Sequence, residues 1–420
     1  MAFWNFWKSQ KDEYFLALDI GTEFVKCLIV KLEGEKARAV SYGKQRQGLG
    51  EMAGGVVTDI TGVIRNCRHA IARAVRDLPA VRQGAKMPLP PTLAVVGIAG
   101  ERVKGITHTI HLTRKYPKFK ITRKELQGLV KKVQWKTYDV IRKQLAQEIG
   151  YPEVEVRLVN SAIVDIVVDG HRLQNPLGFQ GREISVSMFN SYAPLVCVGA
   201  LQTVADELGL SLISIATEPY AVARAYNQDD PNDFSGIFID IGGGTTDVAL
   251  VINGGVVGTK MFALGGRAFT KRVSKAYDLP FQKAEELKIA HSKGELAESK
   301  EKKLKAIFLS DAEVWLQGLE MTLEDFPKES VLPNRIYICG GGSALPEIME
   351  VLAAENWWEK LHFAKAPIVK RIAPKEVSAV VDDIGLSDPQ DITPLALASL
   401  GRTLLAEKKN LIVSDNLTSE

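Results

Sequence analysis

Two apolar runs in this chain are each broken by a short turn of glycines and threonines. They are FLALDIGTEFVKCLIV (residues 15–30) and GIFIDIGGGTTDVALV (residues 236–251). Each contains a hydrophobic strand, an Asp, then Ile-Gly, a Thr and a second hydrophobic strand, which is the pattern of a β-hairpin. A third glycine cluster follows an apolar run in RIYICGGGSALPEI, residues 335–348. The chain therefore repeats one strand-and-turn pattern at widely separated positions.

The composition of these turns predicts that they bind phosphate. Glycines let backbone N–H groups approach a ligand closely, and successive N–H groups in a tight turn form a concave anion site. Neither G-x-x-x-x-G-K-[ST] nor a G-x-G-x-x-G ahead of a helix occurs at these positions. The aspartate in each turn suits Mg²⁺, which takes few protein carboxylates and keeps several waters. Two such hairpins predict a site for one polyphosphate and its metal ion.

The pattern between the hairpins predicts an insertion. Apolar residues at helical spacing indicate a helix over residues 57–78, and residues 86–92, KMPLPPT, form a proline-rich boundary. A strand follows at residues 93–100. Thr122 and Glu125 form a capping-box pattern that opens a helix, and residues 154–170 indicate two further strands. A strand–helix–strand–strand unit is therefore expected before a connecting helix near residues 202–227.

Composition narrows the class of protein. The chain has 420 residues, which exceeds a single core and predicts two or more domains. With 46% hydrophobic and 25% charged residues it is typical of a globular protein, and a net charge of +3 gives no general attraction to nucleic acid. The four cysteines lack metal-ligand spacing, which fits a reducing cytoplasm. We expect neither a signal peptide nor a membrane-spanning segment.

Three motifs resemble those of the actin-like ATPase superfamily, which includes actin, sugar kinases and seventy-kilodalton heat-shock chaperones. Asp19-Ile-Gly-Thr22 resembles its first phosphate motif, Asp240 to Asp247 (DIGGGTTD) its second, and Cys339 to Ser343 (CGGGS) its adenosine motif. The resemblance implies an α/β, actin-like two-lobed ATPase fold, with two ribonuclease-H-like lobes and ATP and Mg²⁺ in the cleft.

The resemblance also implies roles for individual residues. Asp19 and Asp240 would hold Mg²⁺ through water, and Glu218 would orient the attacking water. The alternative for Glu218 is a helix-start acid favoured by the helix dipole. The residues expected to cradle the phosphates are Gly21, Thr22, Gly242, Gly243, Gly244 and Thr245. The remaining cofactor-binding residues, expected around the nucleoside, are Gly265, Gly266, Glu285, Lys288, Gly340, Gly341, Gly342 and Ser343.

The insertion resembles the small inserted domain of FtsA, the bacterial division protein that ties the FtsZ ring to the membrane. The resemblance rests on residues 97–100, 168–170 and 175–181, and on residues 264–266, 284–289 and 394–401 outside the insertion. Residues 175–181, NPLGFQG, depart from the D-P-x-G-M-x-G pattern of FtsA. PilM, an actin-like protein of type IV pilus assembly, remains an alternative. Sugar kinases are less favoured because no hexose-binding signature is found.

These resemblances predict a division of the chain into domains. The inserted small α+β domain is expected at residues 92–182. The other expected units are an N-terminal aromatic segment (1–11), lobe 1 (12–91, 183–228 and 395–409), lobe 2 (229–270 and 331–394), a helical subdomain of lobe 2 (271–330) and a polar tail (410–420).

The chain also departs from FtsA at its end. That family usually closes with a linker and an amphipathic membrane helix, whereas residues 410–420 here are short, acidic and without aromatics. The N-terminal segment instead crowds together Phe3, Trp4, Phe6 and Trp7, with two lysines close behind. Aromatic residues and cations suit a bilayer interface, although the segment could also pack on its own domain. We expect a peripheral location on the inner face of the cell membrane.

The expected partners are a second copy of the chain in a filament, and the FtsZ C-terminal tail or other division proteins. Residues 101–150 contain 13 Lys and Arg against 4 Asp and Glu. We interpret this basic stretch as a solvated helix face rather than a nucleic-acid site, with an acidic partner or the anionic membrane leaflet as the next alternative. Two functions stay open: a nucleotide-switched scaffold with slow ATP hydrolysis at most, and a turnover enzyme such as a small-molecule kinase.

Overall fold

The structure is a computed structural model that describes residues 14–417, apart from residues 35, 227–233, 328–330, 355 and 378, with side chains to residue 407. Its strands are β1 (Tyr14–Ile20), β2 (Phe24–Glu33), β3 (Lys36–Arg46), β4 (Met52–Ala53), β5 (Val56–Val57), β6 (Leu93–Ile98), β7 (Lys104–Thr113), β8 (Val156–Val168), β9 (His171–Arg172), β10 (Glu183–Pro194), β11 (Ser211–Thr217), β12 (Gly236–Ile241), β13 (Thr246–Ile252), β14 (Gly255–Phe262), β15 (Arg335–Cys339), β16 (Ile368–Arg371) and β17 (Val380–Asp382). Its α-helices are α1 (Ile60–Arg76), α2 (Pro79–Arg82), α3 (Arg123–Ile149), α4 (Leu195–Glu207), α5 (Glu218–Ala225), α6 (Gly266–Tyr277), α7 (Phe281–Ser292), α8 (Glu298–Glu324), α9 (Pro346–Ala353) and α10 (Ile392–Leu417).

The two main sheets have the same strand order. In the first, the order is β3-β2-β1-β6-β11, with β17 added beside β3. In the second, the order β14-β13-β12-β15-β16 repeats it. The hairpin strands pair antiparallel, and the two crossover strands of each sheet pair parallel. This is the ribonuclease-H-like arrangement in both lobes, so the predicted fold class is confirmed.

The hydrophobic pattern of β1 explains how the first lobe is layered. Leu16 and Leu18 are fully buried with residues of α1 and α4 on one face of the sheet. Phe15 and Ala17 are fully buried with residues of α5 and α10 on the other face. Because helices cover both faces, the strand is apolar almost throughout instead of alternating.

The insertion is a sheet of β7, β10, β8 and β9 covered by α3. It joins the second sheet where β7 pairs with β14, at Ile106 and Gly105. The apolar side of α3, with Leu129 and Val133 fully buried, packs on Ile184 and Val186 of β10. One half of the predicted capping box is present, because the Glu125 amide donates to Thr122 Oγ1 at 3.2 Å. The Glu125 carboxylate binds Arg114.

Three of the expected domain boundaries are wrong. β6 lies in the first sheet between β1 and β11, so the insertion begins near Lys104 rather than at residue 92. β10 pairs along its length with β7 and β8, so the insertion ends near Pro194 rather than at residue 182. β17, expected in lobe 2, pairs with β3 in lobe 1. The hydrophobic pattern predicted where these strands lie in the chain. A strand's own sequence does not specify which strand it pairs with in the sheet.

The last helix is longer than expected. α10 begins at Ile392 and continues to Leu417, where a helix ending at residue 409 and a polar tail were expected. Its first turns, including Leu395 and Leu397, are buried against the first sheet. The expected N-terminal aromatic segment, with Phe3, Trp4, Phe6 and Trp7, lies outside the described residues. None of the helices in the described part is long and apolar enough to cross a membrane.

Candidate functional site

The two predicted phosphate turns have the same local structure. The Gly21 amide donates to the carbonyl of Phe24 at 3.0 Å, and the Gly242 amide donates to that of Thr245 at 2.9 Å. The registers match as well. Asp19 pairs across its hairpin with Lys26, and Asp240 pairs with Asp247. Each lobe therefore supplies one copy of the same turn, with an aspartate at the same position.

The two turns meet across the cleft between the lobes. A Cβ placed on Gly243 would lie 2.9 Å from Glu23 Cβ, and one on Gly244 would lie 3.0 Å from Thr22 Cγ2. The contact at Gly243 is closer than side-chain atoms tolerate, and the one at Gly244 would require Thr22 to shift, so both positions favour glycine. The lobes can approach this closely only because the second turn lacks side chains.

A cavity of about 550 Å³ lies between the lobes and is lined by most of the predicted site residues. Those in its wall are Asp19, Gly21, Thr22, Glu218, Asp240, Gly242, Gly243, Thr245, Gly266, Glu285, Lys288, Gly340, Gly341 and Gly342. Gly244, Gly265 and Ser343 are outside the wall and support it. A Cβ on Gly265 would lie 2.6 Å from the Gly242 carbonyl oxygen, and Ser343 Oγ donates to the Gly340 carbonyl at 2.7 Å. The structure therefore brings all three motifs together.

Lys26 is the main positive charge within this acidic site. Its Nζ lies 2.7 Å from Asp19 Oδ2 and donates to the Gln390 carbonyl at 2.9 Å. Burial is the largest single influence and lowers the pKa of Lys26, but the hydrogen bond to Asp19 and the combined attraction of Asp19, Asp240 and Glu218 outweigh it, so the pKa is raised. The side chain therefore stays charged and holds the first aspartate in position.

The other carboxylates of the site have fewer favourable interactions to offset the cost of burying their charge. Burial raises the pKa of Asp240, although Thr393 Oγ1 donates to Asp240 Oδ2 at 2.7 Å and opposes the shift. Burial, with repulsion from Asp240, raises the pKa of Asp247 to about 7. Burial, with repulsion from Asp19, Asp247 and Asp240, raises the pKa of Glu218 well above its usual range. A cation placed here would relieve this repulsion.

Glu218 is the first residue of α5 and is 9% exposed. Gly97 gives it room, because a Cβ on Gly97 would lie 2.8 Å from Glu218 Oε1. Its place at a helix start agrees with the dipole alternative, and its place in the cavity wall agrees with the water-orienting role. Both roles remain predictions.

The far end of the cavity suits a nucleoside. Lys288 Nζ lies 2.8 Å from Glu285 Oε2 and donates to the Gly266 carbonyl at 2.9 Å, so α7 is fixed against the start of α6. Ile289 and Leu345 add apolar surface to the wall. Polar groups that surround an apolar slot are typical of sites for a planar base with a ribose.

The third motif supports the second through Gly340. This residue has φ +81°, and a Cβ on it would lie 2.1 Å from Asp240 Oδ1. A Cβ on Gly342 would lie 2.4 Å from Ile241 Cγ2. The glycines of the adenosine motif therefore let β12 and its aspartate sit directly beside the motif.

The structure adds residues that sequence reasoning missed. Lys26 and Asp247 could have been found, because each stands seven residues after its aspartate in a repeated pattern. Glu23 contacts Arg267 of the other lobe at 2.6 Å, and it also binds Arg46. No local sequence pattern predicts the ion pair between Glu23 and Arg267, because the two residues are far apart in the chain.

The oxygen donors of the cavity are of the type that binds Mg²⁺. The carboxylates of Asp19, Asp240 and Asp247 are hard oxygen donors of the kind that Mg²⁺ prefers. In the part of the chain that the structure describes, no group of three or more His, Cys, Asp or Glu is arranged to ligate a metal ion. The carboxylates present are chemically suited to a magnesium ion.

The equivalent lobes and the glycine-lined cleft between them give this chain the actin-like ATPase fold. A solved PilM–PilN type IV pilus biogenesis complex contains a chain with this fold, at a TM-score of 0.61 and 19% identity over 92% of this chain and 98% of that one. The model of the family "Cell division protein FtsA" matches residues 237–391.

Curated relatives agree with that family model. The cell division protein FtsA of Neisseria meningitidis serogroup B is 27% identical over 364 residues, which are 81% of each chain. That of Bacillus subtilis is 23% identical over 361 residues, covering 81% of this chain and 76% of the relative. The chain therefore has the actin-like ATPase fold and is similar in sequence to FtsA proteins over about four fifths of its length.

Proposed function

We propose that this chain binds ATP with Mg²⁺, assembles at the cytoplasmic face of the cell membrane and links the FtsZ division ring to it. The observation that carries the nucleotide part is the pair of matched hairpin turns that face each other across one cavity, with Asp19 and Asp240 at equivalent positions. The division part is supported by relatives that are named cell division proteins over four fifths of the chain.

The phosphate end of the cleft would act through the backbone. Amides in the turns around Gly21 and Gly242 would donate to phosphate oxygens, and Lys26 would add a positive charge. Mg²⁺, when bound, supplies charge that offsets the phosphates. Asp19 and Asp240 would hold its waters, and Asp247 would lose its proton more readily once that cation is present.

Hydrolysis would depend on Glu218. Its carboxylate would accept a proton or a hydrogen bond from a water aligned for in-line attack on the terminal phosphate. Burial and the neighbouring acids raise the pKa of Glu218 well above its usual range, which disfavours the ionised form that accepts this proton. This agrees with a slow ATPase that serves as a switch rather than a rapid turnover enzyme.

Assembly and membrane contact complete the proposal. We expect the insertion, residues 104–194 as the sheet defines it, to contact a neighbouring protomer in a filament. We expect Phe3, Trp4, Phe6 and Trp7 to enter the bilayer interface, weakly for a monomer and firmly for a filament because many copies bind together. The FtsZ C-terminal tail is the expected division partner.

Two alternative functions differ from the proposed one, the first in its protein partner and the second in its rate of catalytic turnover. A PilM-like pilus scaffold shares the fold of the solved PilM–PilN complex and would bind a PilN-type partner instead of FtsZ. A small-molecule kinase would release product rapidly only when an acceptor is added. Binding of an FtsZ C-terminal peptide, measured beside a PilN peptide, distinguishes the two scaffolds.

The membrane part is tested by flotation with liposomes and ATP. We expect Trp4→Ala combined with Trp7→Ala to abolish flotation while ATP affinity stays within twofold of the wild type, about 0.4 kcal/mol. Tyr277→Ala, an exposed aromatic on α6, is the matched control and should float normally. Undiminished flotation of the double variant would place the anchor elsewhere or in a partner protein.

A further inference from the structure

The tip of the insertion exposes four large apolar side chains. We define the insertion tip as residues 115–120, KYPKFK, and residues 175–180, NPLGFQ. Tyr116 is 59% exposed, Phe119 69%, Phe179 49% and Leu177 37%. Single exposed apolar residues are ordinary, but a cluster of four on two adjoining loops marks an interaction surface.

The two loops form one rigid surface. The Ile121 amide donates to the Phe179 carbonyl at 2.7 Å, and the Gly178 amide donates to the Ile121 carbonyl at 3.0 Å. Arg114 lies beneath them, with its side chain 4% exposed, and donates to the carbonyls of Gly181 and Phe119 at 2.8 and 3.0 Å. These hydrogen bonds fix the backbones of both loops, so the exposed aromatic rings are held pointing away from the domain.

The charge of the tip is entirely positive. It contains Lys115, Lys118 and Lys120 and no Asp or Glu. Within the described part of the chain, none of these three lysines has a carboxylate within 4 Å, whereas Lys104 and Lys143 of the same domain are paired. The three charges are therefore available to an outside partner.

We infer that the insertion tip is a second membrane contact, which inserts its aromatic and leucine side chains among anionic lipid headgroups. Aromatic rings interleaved with lysines suit the bilayer interface, where the rings enter the headgroup level and the ammonium groups meet lipid phosphates. A peptide or helix partner is bound in a groove or along a strand edge. Here the apolar side chains protrude from loops. This arrangement fits insertion into a fluid lipid surface better than docking of a peptide or a helix.

This inference rests on the membrane association proposed above and adds a site distinct from the N-terminal segment. Two sites on one protomer would raise its affinity for a vesicle by avidity, and would fix which side of a filament faces the bilayer. The basic stretch at residues 101–150, which the proposed function leaves unused, then has a role.

The test is flotation of the full-length protein with phosphatidylcholine vesicles, with and without phosphatidylglycerol. One variant combines Phe119→Ser with Phe179→Ser, and another replaces Lys115, Lys118 and Lys120 by Ser. The matched controls on α8 combine Val314→Ser with Met321→Ser, and replace Lys300, Lys302 and Lys303 by Ser. All of these control positions are exposed. Wild-type ATP affinity in every variant verifies folding.

We expect the lysine variant to bind anionic vesicles about a hundredfold more weakly, at about fivefold for each lysine, with little change on neutral ones. The phenylalanine variant should weaken binding to both vesicles by more than about tenfold. Wild-type binding by both tip variants would overturn the inference. If only deletion of residues 1–11 abolishes flotation, the tip inference fails and the proposed membrane association stands. Wild-type protein that floats with neither vesicle contradicts both.

Discussion

Asp247→Asn should make the ligand-free protein more stable, by an amount that grows as the pH rises from about 4 to about 7. The side chain is 6% exposed, and its Oδ2 accepts a hydrogen bond from Thr245 Oγ1 at 3.0 Å. Burial and the neighbouring Asp240 raise the pKa of Asp247 from 3.8 to about 7. Asparagine keeps the size and the acceptor but removes the charge, so the variant isolates the cost of ionising this group.

The size and direction of the effect follow from linkage. Because the folded protein holds this proton more tightly than the unfolded chain, the group costs nothing below pH ~4. The cost grows as the pH rises from about 4 to about 7 and is constant above that. At roughly 1.4 kcal/mol for each pKa unit, it reaches about 4 kcal/mol. Asp247→Asn should therefore exceed the wild type by up to about 4 kcal/mol at pH ~8, and match it near pH ~4.

Urea unfolding of the ligand-free protein at a series of pH values measures this difference directly. Thr245→Val provides a matched control, because it removes the hydrogen bond to Asp247 and keeps the carboxylate. The control should leave the pH dependence in place or steepen it. A variant Asp247→Asn whose stability follows the wild type at every pH would show that Asp247 ionises normally, and would refute the account of the acidic cluster.

Two further changes test the glycine motif and the proposed catalytic acid. Gly340→Ala should destabilise the fold by more than about 1 kcal/mol and weaken ATP binding, because its Cβ would meet Asp240 Oδ1. Gly34→Ala, also at positive φ but with open space, is the control in the same thermal and binding measurements, where equal effects would contradict the clash. Glu218→Gln should slow phosphate release by at least about tenfold with ATP affinity nearly unchanged. Unchanged release would assign Glu218 to the helix start.

Much of the cleft between the lobes could be predicted from the sequence, because a short repeated pattern encodes each turn. Asp19 and Asp240 precede glycines whose turn geometry is local, so their structure follows from a few neighbouring residues. The lobes follow from the same repeat, since each hairpin begins a ribonuclease-H-like sheet.

The remaining parts depend on distant contacts. Thr393 reaches Asp240 from 153 residues away, and Gln390 reaches Lys26 from 364 residues away. No local pattern marks either contact. The boundaries of the insertion were misplaced for the same reason, because β6 and β10 have strand patterns that fit either sheet. Side-chain periodicity specifies which face of a strand is buried but does not specify its neighbour.

Calorimetric titration of ATP in the presence of Mg²⁺ determines whether the cleft between the lobes binds Mg·ATP. We predict one ATP per chain for the wild type. Asp240→Ala should weaken that binding at least tenfold, because the lost metal-linked carboxylate contributes more than ~1.4 kcal/mol. The effect should largely disappear when Mg²⁺ is removed by a chelator. Absence of ATP binding by the wild type, or wild-type affinity in Asp240→Ala, would contradict the account.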